Sequence, residues 1–148
     1  MPEGQPQRRL FDLSVAYLGA LESGPPPEAL PAIVFALQGG ILRLTGFEPT
    51  LDRCVSCDRR PGPHHLLRCD PERGGIVCSA CRAGHDHSFA LSASTAEVIR
   101  RLAGQDPRRM TDLLLPDEID RQMRRYYDRV LTHVLERPPR CHVLHRVA

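Results

Sequence analysis

Two cysteine pairs, Cys54-Val55-Ser56-Cys57 and Cys78-Ser79-Ala80-Cys81, stand 20 residues apart in a chain of 148 residues. Cysteines three apart can turn both sulfurs toward one ion from a single tight turn, and two such turns facing across a loop complete a tetrahedron. The spacing predicts one structural Zn2+ held by Cys54, Cys57, Cys78 and Cys81. Redox C-x2-C pairs or disulfides are the alternatives, and a thioredoxin-like motif is disfavoured because neither pair sits between a strand and a helix. Four thiolates leave no position for water, so such an ion holds structure and does not catalyse. Binding on the order of 10–16 kcal/mol can fold a segment that burial alone cannot.

Other reactive residues form no comparable pattern. Cys69, His64, His65, His85 and His87 surround the pairs and read as partly exposed polar loop residues, with a ligand swap or a second metal as the sharper alternative. Cys141-His142 reads as incidental, because neighbours in sequence seldom reach hydrogen-bond geometry and no third orienting group is evident. All 20 basic residues are arginine. Chemistry that needs a lysine amine, such as a phosphate-loop lysine, a Schiff base or a Ser-Lys pair, therefore has no residue to carry it. No H-E-x-x-H, G-x-S-x-G or deaminase H-x-E is present, so neither an enzyme nor a small-molecule substrate is expected.

The net charge is only +2, which argues against gripping nucleic acid by bulk charge. Locally, Arg121, Arg124, Arg125 and Arg129 lie on the polar side of a late helix, with 121, 125 and 129 on one face. They are the candidate contacts to nucleic acid or to an acidic partner. The plainer reading is a solvated helix face balanced by Asp117, Asp120 and Asp128. With no Trp, four Phe and three Tyr, a base-stacking platform is not supported.

The surrounding secondary structure reads as mostly helical. Leu10, Leu13, Tyr17, Leu18 and Leu21 recur at helical spacing until Ser23-Gly24-Pro25-Pro26-Pro27 stops the pattern, which predicts a first helix over residues 8–22. A second begins near Glu28, tolerates Pro31 in its first turn, is apolar on nearly every face and ends at Gly46. Its apolar stretch, residues 29–42, is too short and broken to span a bilayer. Gly39-Gly40 inside it implies close helix packing. Ser94 and Glu97 form a capping box for a third helix ending at Gly104, and Pro116 precedes a fourth with the stripe Ile119, Met123, Tyr126, Val130 and Val134, stopped by Pro138-Pro139. Between the second and third helices, Gly74-Gly75 allows 66–68 and 76–78 to pair as a hairpin. The expected fold class is mainly α: helices over 1–52 and 89–148 form one domain, and 53–88 is a small inserted, zinc-ribbon-like hairpin. No apolar leader opens the chain, so a reducing cytoplasm is the expected compartment.

The order of features resembles the C-terminal region of the RecO recombination-mediator family. The residues that carry the likeness are Phe35-x-Leu37, the run Leu44-Thr45-Gly46-Phe47-Glu48-Pro49-x-Leu51 leading into Cys54-x-x-Cys57, Gly74-Gly75-Ile76-Val77-Cys78-x-x-Cys81, and the Tyr126-Tyr127 helix with its basic tail. The resemblance implies a non-enzymatic DNA repair protein that binds single- and double-stranded DNA, anneals strands, and works with RecR and single-strand binding protein to load RecA. It also implies Cys54, Cys57, Cys78 and Cys81 as zinc ligands. RecO proteins begin with an OB-fold, and this chain starts at the helical part, so partner docking is the expected role. An unrelated zinc-ribbon module serving transcription or nucleic-acid binding is the other reading.

Overall fold

The computed structural model describes residues 4–62, 66–84 and 87–136. Four helices form its frame: α1 (Gln5–Glu22), α2 (Leu30–Thr45), α3 (Ala93–Leu102) and α4 (Asp117–Leu135), with short 3-10 turns at Pro27–Ala29, Ser79–Cys81 and Pro107–Met110. Three short strands, β1 (Leu66–Asp70), β2 (Gly75–Val77) and β3 (Phe89–Ser92), make an antiparallel sheet in the order β2-β1-β3.

Helix α2 is the central element. Pro31 sits in its first turn, where the missing N–H costs nothing. Phe35, Ile33, Ala32, Ala36 and Leu42 are all buried. The span Pro27–Thr45 is long and apolar enough to cross a membrane by length and composition. The expectation that this stretch is too short is thereby corrected, since the 3-10 turn at Pro27–Ala29 and the residues up to Thr45 lengthen it. In the fold it packs against α1, α3 and α4 as a core helix.

Close packing explains Gly39. A Cβ there would come 2.7 Å from Tyr127 Oη and 2.8 Å from Ala103 Cβ, so α3 and α4 approach the α2 backbone more closely than any side chain permits. Tyr127 stacks on Phe35 at 5.4 Å between ring centroids, and Tyr126 meets Tyr127 edge-on at 4.9 Å. Both tyrosines are buried with Met123 and Val130, so the α4 stripe inferred from the sequence gains Tyr127.

The hairpin forms, but shifted from the expected pairing of 66–68 with 76–78: Arg68 lies opposite Val77, Cys69 opposite Ile76 and Asp70 opposite Gly75, because the turn closes before Gly75 and leaves Cys78 outside the strand. Strand β3 is not anticipated by the sequence reading. It lies along the other edge of β1, where Leu67 faces Leu91 and Cys69 faces Phe89. Arg68 fastens this edge by donating to Ser88 Oγ at 2.8 Å and to the Ser88 carbonyl at 2.6 Å. Leu67, Cys69, Ile76, Phe89 and Leu91 join the helical residues in one hydrophobic cluster.

Two local expectations are corrected. Ser92, not Ser94, caps α3: its Oγ accepts from the Thr95 N–H at 3.1 Å, because β3 passes directly into the helix with Ser92 still extended. Glu97 turns outward to Arg100 and Arg101 and does not close a capping box. On α1 the buried side is built from Ala16 and Ala20, while Leu18 of the expected stripe points to solvent with Phe11 and Val15. Helix α4 ends at Leu135, ahead of the proline pair, and Glu136 takes a left-handed conformation at φ 55°. Pro138-Pro139 and the tail from Arg140 lie outside the described residues.

Candidate metal centre

Each cysteine pair sits on a tight turn tied to the sheet. In the first, the Asp58 N–H donates to the Cys54 carbonyl at 2.9 Å, the Cys54 N–H donates to the Arg59 carbonyl at 2.8 Å, and Asp58 takes the left-handed conformation that lets the chain double back. The second follows β2 directly, with the Cys81 N–H donating to the Cys78 carbonyl at 3.1 Å.

The turns are brought together by backbone bonds to β2. Val55 N–H donates to the Ile76 carbonyl at 2.9 Å, Ile76 N–H to the Thr50 carbonyl at 2.9 Å, and Thr50 N–H to the Gly74 carbonyl at 2.8 Å. The two glycines do different work. Gly74 has φ +75°, the left-handed turn conformation, whereas a Cβ on Gly75 would collide with the Thr50 carbonyl oxygen. A side chain at 75 would push the segment leading into Cys54 away from the strand leading into Cys78.

The four sulfurs of Cys54, Cys57, Cys78 and Cys81 all lie within 4.8 Å of one another, and Cys57 Sγ is 3.6 Å from Cys78 Sγ. Sulfurs about 2.3 Å from a tetrahedral zinc stand about 3.8 Å apart, so the donor set is compatible with a zinc site. The N–H groups of Ser56 and Cys78 each point at Cys54 Sγ from 3.4 Å. Such amides stabilise a thiolate, and sequence spacing alone does not reveal them.

The sulfurs differ in proton affinity. Burial raises the Cys54 thiol, but the amides of Cys78, Cys57 and Ser56 outweigh it and bring it down to about 6. Cys78 is lowered chiefly by the Cys81 amide. Cys81, hydrogen-bonded with Cys78 and Cys57, is pushed up to about 12. The cluster thus favours thiolate at Cys54, eases proton loss at Cys78 and holds the proton at Cys81, the uneven sharing expected when sulfurs crowd together.

Cys69 does not join them. The expectation of a partly exposed loop residue is overturned: Cys69 is fully buried in β1, because strand alternation turns it inward with Leu67. Burial, aided by Asp70, pushes its thiol up to about 12, so it is an inert core residue. His87 is exposed, and His64, His65, His85, Cys141 and His142 lie outside the described residues.

The arginines of α4 are engaged within the chain. Arg121 pairs with Glu118 at 2.5 Å and Arg124 with Asp120 at 2.7 Å. Arg125 donates to the Ala90 carbonyl at 2.8 Å, and Arg125 and Arg129 hold their guanidinium groups 5.9 and 5.7 Å from the Phe89 ring centre. Arg121, Arg125 and Arg129 are exposed, and Arg124 is half-buried.

A family model described as "Recombination protein O C terminal" matches residues 1–141. The DNA repair protein RecO of Anaeromyxobacter dehalogenans (strain 2CP-C) is 41% identical over 98 residues, 66% of this chain and 37% of that protein. The RecO protein of Anaeromyxobacter sp. (strain Fw109-5) is 33% identical over 134 residues, 90% of this chain and 51% of that protein. That of Bacillus subtilis (strain 168) is 25% identical over 126 residues, 85% of this chain and 47% of that protein. The chain spans about half or less of the length of these relatives. No solved structure gives a significant match.

Proposed function

The chain belongs to the RecO family, and from that premise we propose that it serves DNA repair as the partner-binding C-terminal part of a recombination mediator. In this reading it binds DNA and single-strand binding protein, acts with RecR in annealing strands and loading RecA, and works in the bacterial cytoplasm without catalysing a reaction. The observation that carries the proposal is the reach of the family match, which runs over the helices as well as the cysteines. An unrelated zinc-ribbon module would match across the thiol turns alone.

Within this role, one structural Zn2+ bound by Cys54, Cys57, Cys78 and Cys81 holds the segment 53–88 as an insert between the helices of 1–52 and 89–148. A closed four-thiolate site supports it, since no coordination position is left for water or substrate. The anionic partner, whether DNA phosphate or an acidic peptide tail, meets the face of α4 that carries Arg121, Arg125 and Arg129, with Arg124 behind it. Arg121 would exchange Glu118 for the ligand, as an ion pair this exposed is screened by water and yields readily.

The test is a titration with single-stranded DNA at several salt concentrations beside one with the acidic tail peptide of single-strand binding protein. Binding of either ligand that weakens with salt, and weakens further in Arg121→Glu/Arg125→Glu, is the expected result. Binding of neither overturns the proposal.

A further inference from the structure

One face of α1 is apolar and exposed along its length. Toward the core, α1 sets Leu13 against Gly40 of α2 and Gly19 against Arg108, with Ala16 and Ala20 buried. On the opposite side Phe11 is 68% exposed, Val15 49% and Leu18 59%. With Arg8 before them and Glu22 after, these residues recur at intervals of three, four, three and four, the repeat that lines one side of a helix facing another helix. Exposed apolar side chains that share one helix face form a candidate interaction surface.

The charges at its ends are set against the helix's own dipole. An α-helix favours acids in its first turns and bases in its last. Helix α4 obeys, with Asp117, Glu118 and Asp120 at its start and His133 at its end. Helix α1 has no acid in its first turn and no base in its last; it carries Arg8 and Arg9 near the start and Glu22 at the end. Among the described residues neither Arg8 nor Glu22 has an ion-pair partner, a state they share with other exposed charges such as Arg59 and Arg109.

We propose that this face pairs with the same face of a second copy of the chain, antiparallel, about a two-fold axis at Val15. Arg8 and Glu22 each stand seven residues from Val15, about 10 Å along the helix. The two-fold therefore sets Arg8 of each copy against Glu22 of the other, and Phe11 beside Leu18. Each Glu22 then lies next to the positive end of the facing helix and each Arg8 next to its negative end, so both dipole conflicts are relieved and the apolar stripe is covered. A parallel pair would oppose like charges at both ends. One helix from each side makes an interface at the small end of the range, below about 1,200 Å², so the dimer forms in a concentration-dependent way.

The experiment is sedimentation equilibrium of the 148-residue chain from micromolar to several hundred micromolar, with circular dichroism to verify that each variant keeps its helices. The native chain is expected to rise from one chain mass toward two, and Val15→Asp to remain a monomer. Arg8→Glu alone and Glu22→Arg alone each oppose like charges and are expected to weaken pairing about tenfold. The double variant restores both ion pairs with their signs exchanged and recovers the lost affinity, a rescue that no occupant other than a second copy produces. A native chain that stays monomeric throughout overturns the proposal, as does a double variant no better than the single ones.

Discussion

The two thiol turns and the helical layer hold their shapes by different means. Between Ser56 and Arg60, and again from Ser79 to Gly84, no side chain is buried, and what order the chain has comes from backbone hydrogen bonds and four converging sulfurs. The helical layer carries Phe35, Ile33, Leu42 and Met123 at or below 2% exposure, each worth about 1.5–3 kcal/mol in burial, with Tyr126 and Tyr127 buried beside them. One region offers backbone bonds and a donor set compatible with a metal ion, the other area removed from water. The sheet joins them: its outer edge feeds Cys78, and its inner face is part of the helical core.

Removal of metal should show this division most strongly. Chelation, or Cys54→Ser, is expected to abolish hydrogen-exchange protection at residues 54–59 and 78–82, an effect of several kcal/mol or more, while much of the helical circular dichroism persists. Complete loss of helix would break the comparison by making the core depend on the turns.

Metal uptake should also depend on pH in one direction. With Cys54 brought down to about 6 and Cys81 pushed up to about 12, the metal-free cluster at neutral pH is ionised at the first and protonated at the second. Zinc binding must then expel protons, and affinity must rise with pH. Calorimetry in two buffers of different ionisation enthalpy should give apparent enthalpies that differ; identical values would contradict the assignment of a proton to Cys81.

A steric test addresses the helical side alone. Gly39→Ala drives a methyl into Tyr127 Oη and the Ala103 backbone and should cost about 1–3 kcal/mol, read as a lower urea midpoint with zinc affinity unchanged. A parallel fall in zinc affinity would show that the two regions are coupled. Smaller still is the cap of α3. Ser92→Ala should lose about 1 kcal/mol, and Ser94→Ala, whose hydroxyl among the described residues meets Ser92 Oγ alone, only a fraction of that; equal losses in thermal melts would return the cap to Ser94.

How much was legible in the sequence varies with the physics behind each feature. The thiol spacing, the Gly74-Gly75 reversal and the buried face of α4 could be read directly, because each depends on residues close in the chain. Strand β3 was hidden because Phe89-Ala90-Leu91-Ser92 is only four residues long and opens straight into a helix, leaving no turn signal between them. Cys69 was misread for a related reason. Composition marked its surroundings as polar loop, yet pairing with both β2 and β3 makes β1 a central strand.

The four-cysteine pattern, the helical frame and the likeness to one family are written in the residue order, since all follow from local spacing, period and turn chemistry. Long-range packing fixes which amides point at Cys54, buries Cys69 in the core away from the four sulfurs, makes Ser92 the cap of α3 and turns Phe11, Val15 and Leu18 outward. These depend on which distant segment comes alongside: β3 beside β1, Thr50 beside Gly75, and α2 with Gly40 against Leu13 of α1. A helix of even apolarity has several faces it could bury, and the neighbour that packs first selects one of them.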